Sequence, residues 1–166
     1  MIKQISLGKN DISALKKGDT VAVISTARKV SPEELDFAIT KIKSWGLNVC
    51  FGKNLFKKQH QFAGTTQERA DDLQWALDDN NIKAVFFARG GYGSVHLVDY
   101  VDWQAFTINP KWLIGFSDIT VFHSHVHQCF NIPTLHAAMP ITYPQNTDAA
   151  IKNIRDILFG ENVSYK

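Results

Sequence analysis

The sequence predicts a three-layer α/β sandwich, a parallel sheet of about five strands with helices on both faces. Three observations lead there. Strand-like and helix-like segments alternate from one end of the chain to the other. Ile82 to Ala88 (IKAVFFA) is almost continuously apolar, the pattern of a central parallel strand covered on both sides. Two helices announce themselves with capping boxes, in which a Ser or Thr is followed three residues later by Glu.

Thr20–Ser25 (TVAVIS) reads as the first strand. Ser31 is the N-cap of the first helix, with Pro32 in its first turn and Glu34 completing the capping box. Leu35, Ala38, Ile39, Ile42 and Trp45 follow at helical spacing until Gly46 ends the helix. Leu47–Phe51 is the second strand. The stretch from Phe51 to Gly64 lacks periodicity and reads as a surface loop that could border a site. Thr65 and Glu68 open a second helix whose buried stripe is Ala70, Leu73, Ala76 and Leu77.

After the third strand, Arg89-Gly90-Gly91-Tyr92-Gly93-Ser94 forms a glycine-rich turn into a short helix through Tyr100. A Trp-containing connection leads to the fourth strand, Lys111–Phe116, and Ser117 and Asp118 open a helix to about Cys129. Pro133–His136 is a short fifth strand and Ala149–Phe159 a last amphipathic helix. The expected sheet core is Val21, Val23, Val85, Phe87, Leu113 and Ile114. Residues 1–158 are expected to form one domain and 159–166 the start of a linker.

Composition narrows the function classes. Of 166 residues, 45% are hydrophobic, enough for a real core, and 18 basic against 16 acidic residues leave a formal charge of +2. That near-balance argues against a dedicated nucleic-acid or anionic-membrane binder. Cys50 and Cys129 are far apart in apolar stretches and read as buried free thiols. Met1 to Asp11 has no apolar signal-peptide core and no run is long enough to span a membrane, so a cytoplasmic location is expected.

Ligands of open parallel sheets bind at the carboxyl ends of the strands, where two loops stand out. In Gly115-Phe116-Ser117-Asp118 a serine sits on a strand-to-helix turn, the nucleophile-elbow arrangement, with the next amide at a helix N-terminus as an oxyanion donor. Ile119 stands where the usual elbow has its second glycine, and an ordinary N-cap serine is the competing reading. Gly90-Gly91-Tyr92-Gly93 could be a phosphate cradle, a tight turn, or a second oxyanion donor facing Ser117. His123, His125 and His127 have zinc-like spacing but no accompanying Glu, and read as helix-surface histidines. His136, at a strand end, could line the site; His60 is uncommitted.

Phe62-Ala63-Gly64, Glu68-Arg69, Asp72-Leu73, Ile82-Lys83-Ala84-Val85, Ala88-Arg89-Gly90-Gly91-Tyr92-Gly93 and Ile114-Gly115-Phe116-Ser117-Asp118-Ile119-Thr120 occur in that order. From about Gly18 to about Pro140 the chain resembles the N-terminal domain of the LD-carboxypeptidase family of serine peptidases, which includes the microcin C immunity peptidases. The resemblance implies a fold like that of class I glutamine amidotransferases, which is flavodoxin-like, and a two-domain enzyme with a Ser-Glu-His triad. It implies Ser117 as nucleophile and the amides of Asp118 and Gly91 as oxyanion hole, with Gly90, Tyr92 and His136 as pocket candidates. The triad Glu and His belong to a C-terminal domain this chain lacks.

The function so implied is release of terminal D-alanine from murein tetrapeptide during cell-wall recycling, without metal or cofactor. This fragment alone is expected to be inactive. The expected partners are that L–D peptide, the absent domain and, at an apolar rim, a second copy in a homodimer. Two alternatives stand: a peptidyl-nucleotide hydrolase of the microcin C kind, and a non-enzymatic phosphate- or nucleotide-binding module. The backbone at Ser117 discriminates. Strain there, with the hydroxyl facing Gly90–Gly91, favours the peptidase, and a relaxed N-cap favours the module.

Overall fold

The computed structural model describes residues 12–163. Met1 to Asp11 and the last three residues of the expected linker therefore lie outside the described residues. The strands are β1 (Thr20–Ile24), β2 (Asn48–Phe51), β3 (Ile82–Phe87), β4 (Trp112–Gly115) and β5 (Leu135–His136). The helices are α1 (Pro32–Ser44), α2 (Thr66–Asp78), α3 (Gln104–Ile108), α4 (Thr120–Phe130) and α5 (Asp148–Leu158). The sheet order is β2-β1-β3-β4-β5, and every adjacent pair is parallel. This is a common doubly wound order, whose crevice opens at the carboxyl ends of the strands.

Alternation along each strand builds the three layers. Val21, Val23, Phe86 and Ile114 join a cluster with the apolar stripes of α1 and α5. Ala22, Ile24, Val85, Phe87 and Leu113 join the opposite cluster, with α2 and α4. All six residues expected in the sheet core are fully buried. The two capping boxes form as the sequence predicts: Glu34 and Glu68 each accept the backbone amide of their N-cap, and Ser31 and Thr65 each return the favour to the Glu amide. α1 ends where Gly46 takes φ +85°, the left-handed geometry a helix stop uses. Its buried Leu35 is worth roughly 1.5–3 kcal/mol, and truncating it to Ala would cost about 2–5 kcal/mol.

Several expectations need correction. The helix expected through Tyr100 is only a 3-10 turn over Ser94–Leu97, with the amide of Ser94 at its start bound by a side chain from another loop. The Trp-containing connection holds the five-residue α3, packed through Phe106. A 3-10 turn at Pro140–Gln145, not foreseen, packs against α1. β5 keeps only Leu135 and His136. The stretch after β2 is not wholly a surface loop, since Asn54 and Leu55 are buried and Asn54 is held by Asp72.

Neither cysteine is fully buried. Cys50 is half-buried, its thiol donating to the Val21 carbonyl and its pKa raised chiefly by burial, whereas Cys129 is exposed on the solvent side of α4. Lys111, at the foot of β4, is buried and donates to the carbonyls of Ala76 and Asp79 at the end of α2. α2 has no basic residue in its last turn, so Lys111 supplies that cation from across the fold. Phe159 stacks under Arg155 at 4.9 Å, and the Gly160 and Glu161 amides donate back to α5. Among the described residues no helix is long and apolar enough to cross a membrane.

Candidate active site

The turn after β4 is built in one residue. Phe116 is extended (φ −145°, ψ −172°), Ser117 has φ +60°, and a 3-10 turn over Ser117–Ile119 feeds α4. The left-handed region is costly for a non-glycine residue, by about 1–3 kcal/mol, and is held only where the surroundings enforce it. The Ile119 amide donates to the Phe116 carbonyl at 3.2 Å. Gly115 makes the compact turn possible: a Cβ there would lie 2.9 Å from Ile119 Cγ1. Ile119 thus fills the place of the second elbow glycine by packing back over Gly115. Ser117 is exposed, its hydroxyl makes no hydrogen bond among the described residues, and it caps no helix. The relaxed N-cap alternative does not describe it.

Because β3 and β4 are neighbours, the glycine turn faces this serine. A Cβ on Gly90 would lie 3.4 Å from Ser117 Cβ and 3.5 Å from its Oγ, and 3.1 Å from Met139 Cε. Gly91, at φ +124°, lies under Arg28, whose Cδ would be 2.7 Å from a Cβ there. The Gly91 amide donates to no group among the described residues. The two loops are tied together by side chains. Asp118 Oδ2 accepts the Ser94 amide at 2.9 Å, and Ser94 and Thr26 share a buried hydroxyl contact at 2.8 Å. Arg69, almost fully buried, donates from Nη1 to the carbonyls of Thr26 (2.6 Å) and Gly93 (3.1 Å) and lies over the Phe62 ring. Burial lowers its pKa, and the charge of Asp118 opposes that shift. With the Ser94 amide already occupied by a carboxylate, the end of the glycine turn is not a free anion nest.

The result is an open cleft of about 350 Å3 in which Ser117, Gly90, Gly91 and Phe116 meet Arg28 and Arg89. Two pocket candidates fall outside it. Tyr92 is turned away by its hydroxyl contact to His96 Nε2 (2.9 Å) and by the Phe62 ring. His136 is exposed and stands beside Phe116 and His123, with ring centroids 6.3 and 6.0 Å apart. The three α4 histidines diverge. His123 Nε2 donates to the Gly115 carbonyl at 2.9 Å and burial holds its pKa down, His125 packs on Trp103, and His127 is exposed. Arg28 and Met139 were not singled out from the sequence. The signal available was position: both follow strands, and strand order decides which loops meet.

A larger cavity of about 580 Å3 lies between α2 and the loop after β2. Its buried carboxylate, Asp72, is committed to Asn54 through three contacts at 3.0–3.1 Å, and burial raises its pKa. Its lining has no Ser, Thr or Cys side chain, so the Ser117 cleft is the better candidate for a serine-peptidase family motif.

A family model described as the LD-carboxypeptidase N-terminal domain matches residues 21–137. The chain belongs to the LD-carboxypeptidase family. A probable murein peptide carboxypeptidase from Bacillus subtilis is 40% identical over 127 residues, 76% of this chain and 40% of that protein. The murein tetrapeptide carboxypeptidase of Pseudomonas aeruginosa is 28% identical over 145 residues, 82% of this chain and 47% of its own. A crystal structure of an MccF-like protein from Bacillus anthracis superposes with a TM-score of 0.81 at 26% identity, over 88% of this chain and 46% of that one. The α/β fold of this family is thus shared along most of the chain, which spans about half the length of these relatives.

Proposed function

We propose that this chain is the nucleophile-bearing half of a cytoplasmic serine carboxypeptidase that releases the terminal D-alanine of a murein tetrapeptide. The observation that carries the reading is Ser117 held at φ +60° with its side chain against Gly90 in an open cleft. Membership of the LD-carboxypeptidase family and relatives named for murein peptides support the substrate class. In this reading Ser117 Oγ attacks the carbonyl carbon of the L-residue while its proton passes to a base. The amides of Asp118 and Gly91 hold the oxyanion, and collapse expels the D-alanine amine, which takes the proton back. Water then hydrolyses the acyl-serine.

The base and its orienting carboxylate come from outside the described residues. Within them no histidine is hydrogen-bonded to Ser117, and His123 is engaged on the Gly115 carbonyl. Residues up to 158 form the nucleophile domain, and the segment from 159 leads toward a second domain. The exposed side chains of Tyr92, Val95 and Tyr100 beside the glycine turn are the surface on which that domain, or a second copy, would sit. The experiment is turnover of a D-alanine-terminated murein tetrapeptide by the full-length protein, with Ser117→Ala as control. Serine-dependent release of D-alanine is expected, and equal activity in the variant would remove Ser117 from the mechanism.

A further inference from the structure

We propose that Arg28 receives the free terminal carboxylate of the substrate and so makes the cleft selective for a chain end. This rests on the serine carboxypeptidase reading above and adds the group that reads the leaving residue.

An exopeptidase must distinguish a chain terminus from an internal residue, and the α-carboxylate is the group that marks a C-terminus. Its natural partner is a guanidinium, whose planar fork matches a carboxylate. Arg28 is exposed and makes no ion pair with any carboxylate among the described residues. Its backbone is firmly mounted: the Arg28 carbonyl accepts from Ser25 Oγ at 2.7 Å, and the residue bridges to Phe62. The surroundings are one-signed. The cleft lining holds two cations, Arg28 and Arg89, and no acid. Arg89 pairs with Glu34 of α1 at 3.7 Å, an acid that does not line the cleft, and the Asp118 carboxylate accepts the Ser94 amide.

Spacing supplies the second argument. Gly90 lies against Ser117, with Oγ 3.5 Å from a Cβ placed there, and the very next residue, Gly91, lies against Arg28, with Nε 2.9 Å from its Cβ position. Consecutive Cα atoms are about 3.8 Å apart. The nucleophile and the cation are therefore offset by one residue along the glycine turn. That is the offset between the scissile carbonyl and the terminal carboxylate in a peptide losing one residue. Gly91 accordingly has a steric reason to be glycine, because any Cβ would displace Arg28.

The test uses the full-length protein and two L–D peptides differing only at the end, one a free acid and one a C-terminal carboxamide. The wild type should prefer the acid, and Arg28→Gln should raise KM for the acid about 10- to 100-fold, toward that for the carboxamide. Arg28→Lys should restore part of the preference. A wild type that cleaves both peptides alike overturns the proposal without any variant, as does an Arg28→Gln enzyme that keeps the preference. Calorimetric binding of both peptides to Ser117→Ala separates the two readings. Arg28-dependent preference for the acid without turnover in the wild type would sink the peptidase and keep the carboxylate site. Serine-dependent turnover without acid preference would do the reverse.

Discussion

The carboxylate of Asp118 accepts the backbone amide of Ser94 at 2.9 Å, so the residue after the candidate nucleophile is bound to the residue that closes the glycine turn. A single side chain thus sets the separation of the two loops that meet at the cleft. Arg69 reinforces the arrangement by donating to both Thr26 and Gly93. The two family motifs are therefore one mechanical unit, joined where β3 and β4 end side by side.

Asp118→Ala should let the loops drift apart. We expect kcat of the full-length enzyme to fall about 10- to 100-fold and stability to drop by about 1.5–3 kcal/mol, the usual worth of a hydrogen bond to a charged group. Asp118→Asn retains an acceptor and should recover most of the stability. Kinetics and denaturant unfolding of both variants check this, and unchanged kcat in the alanine variant would show that the loops are held by other means.

The positive φ of Ser117 separates two ways of removing its hydroxyl. Ser117→Ala leaves the backbone strain in place, whereas Ser117→Gly relieves it at the expense of a freer unfolded chain. Both should lose turnover, and the glycine variant should be more stable than the alanine variant by roughly 1 kcal/mol. Equal melting temperatures would mean that the strain is not stored at this residue.

Gly90 and Gly91 should fail differently when replaced by alanine. At Gly90 the new methyl meets Met139 Cε at 3.1 Å and Ser117 Oγ at 3.5 Å, so it intrudes on the cleft more than on the fold. Gly90→Ala should cost activity with a stability change within about 1 kcal/mol. At Gly91 the methyl would meet Arg28 at 2.7 Å, in a backbone region closed to most side chains. Gly91→Ala should destabilise by about 1–3 kcal/mol as well as impair turnover. The pair is read by thermal unfolding beside steady-state kinetics, and matching profiles would contradict the distinction.

Lys111 makes stability depend on pH at the alkaline end. Burial pulls its pKa down from 10.5 to about 8, with Asp79 opposing. Below pH 8 folded and unfolded chains both carry the proton, and the fold bears the full desolvation cost. Between pH 8 and 10.5 the unfolded chain binds more protons, so this group's contribution makes stability rise with pH, by on the order of 3 kcal/mol at the limit. The unfolding free energy of the wild type minus that of Lys111→Met should climb across this window. A flat difference would show that the buried ammonium is not the titrating group.

The 166-residue chain by itself should show no Ser117-dependent release of D-alanine, because no base lies within hydrogen-bond reach of Oγ among the described residues. On the proposed two-domain reading, supplying a second domain that carries the base should restore it. Turnover by the isolated chain at the rate of the complete enzyme would place the base inside it, and His136 would then be the first residue to substitute.

What could be read from the sequence were the features that neighbouring residues decide among themselves. Ser31 with Glu34 and Thr65 with Glu68 close their capping boxes over three residues, and IKAVFFA carries the pattern of a central strand, in which Lys83 alone of Ile82–Phe87 is exposed. The sharp turn at Ser117 also belongs to this class, since Gly115 and Ile119 that shape it lie within five residues. α3 escaped because five residues are too few to show a helical period, and Lys111 and Arg69 because nothing adjacent in sequence foretells a buried cation's carbonyl partners. Only the tertiary structure decided which loops meet. The order β2-β1-β3-β4-β5 sets the end of β1 beside the end of β3, and so brings Arg28 over Gly91 beside Ser117. Lateral strand order depends on how whole apolar faces are covered, whereas caps and turns depend on hydrogen bonds a few residues long, and that difference in range divides what the sequence determined from what the fold did.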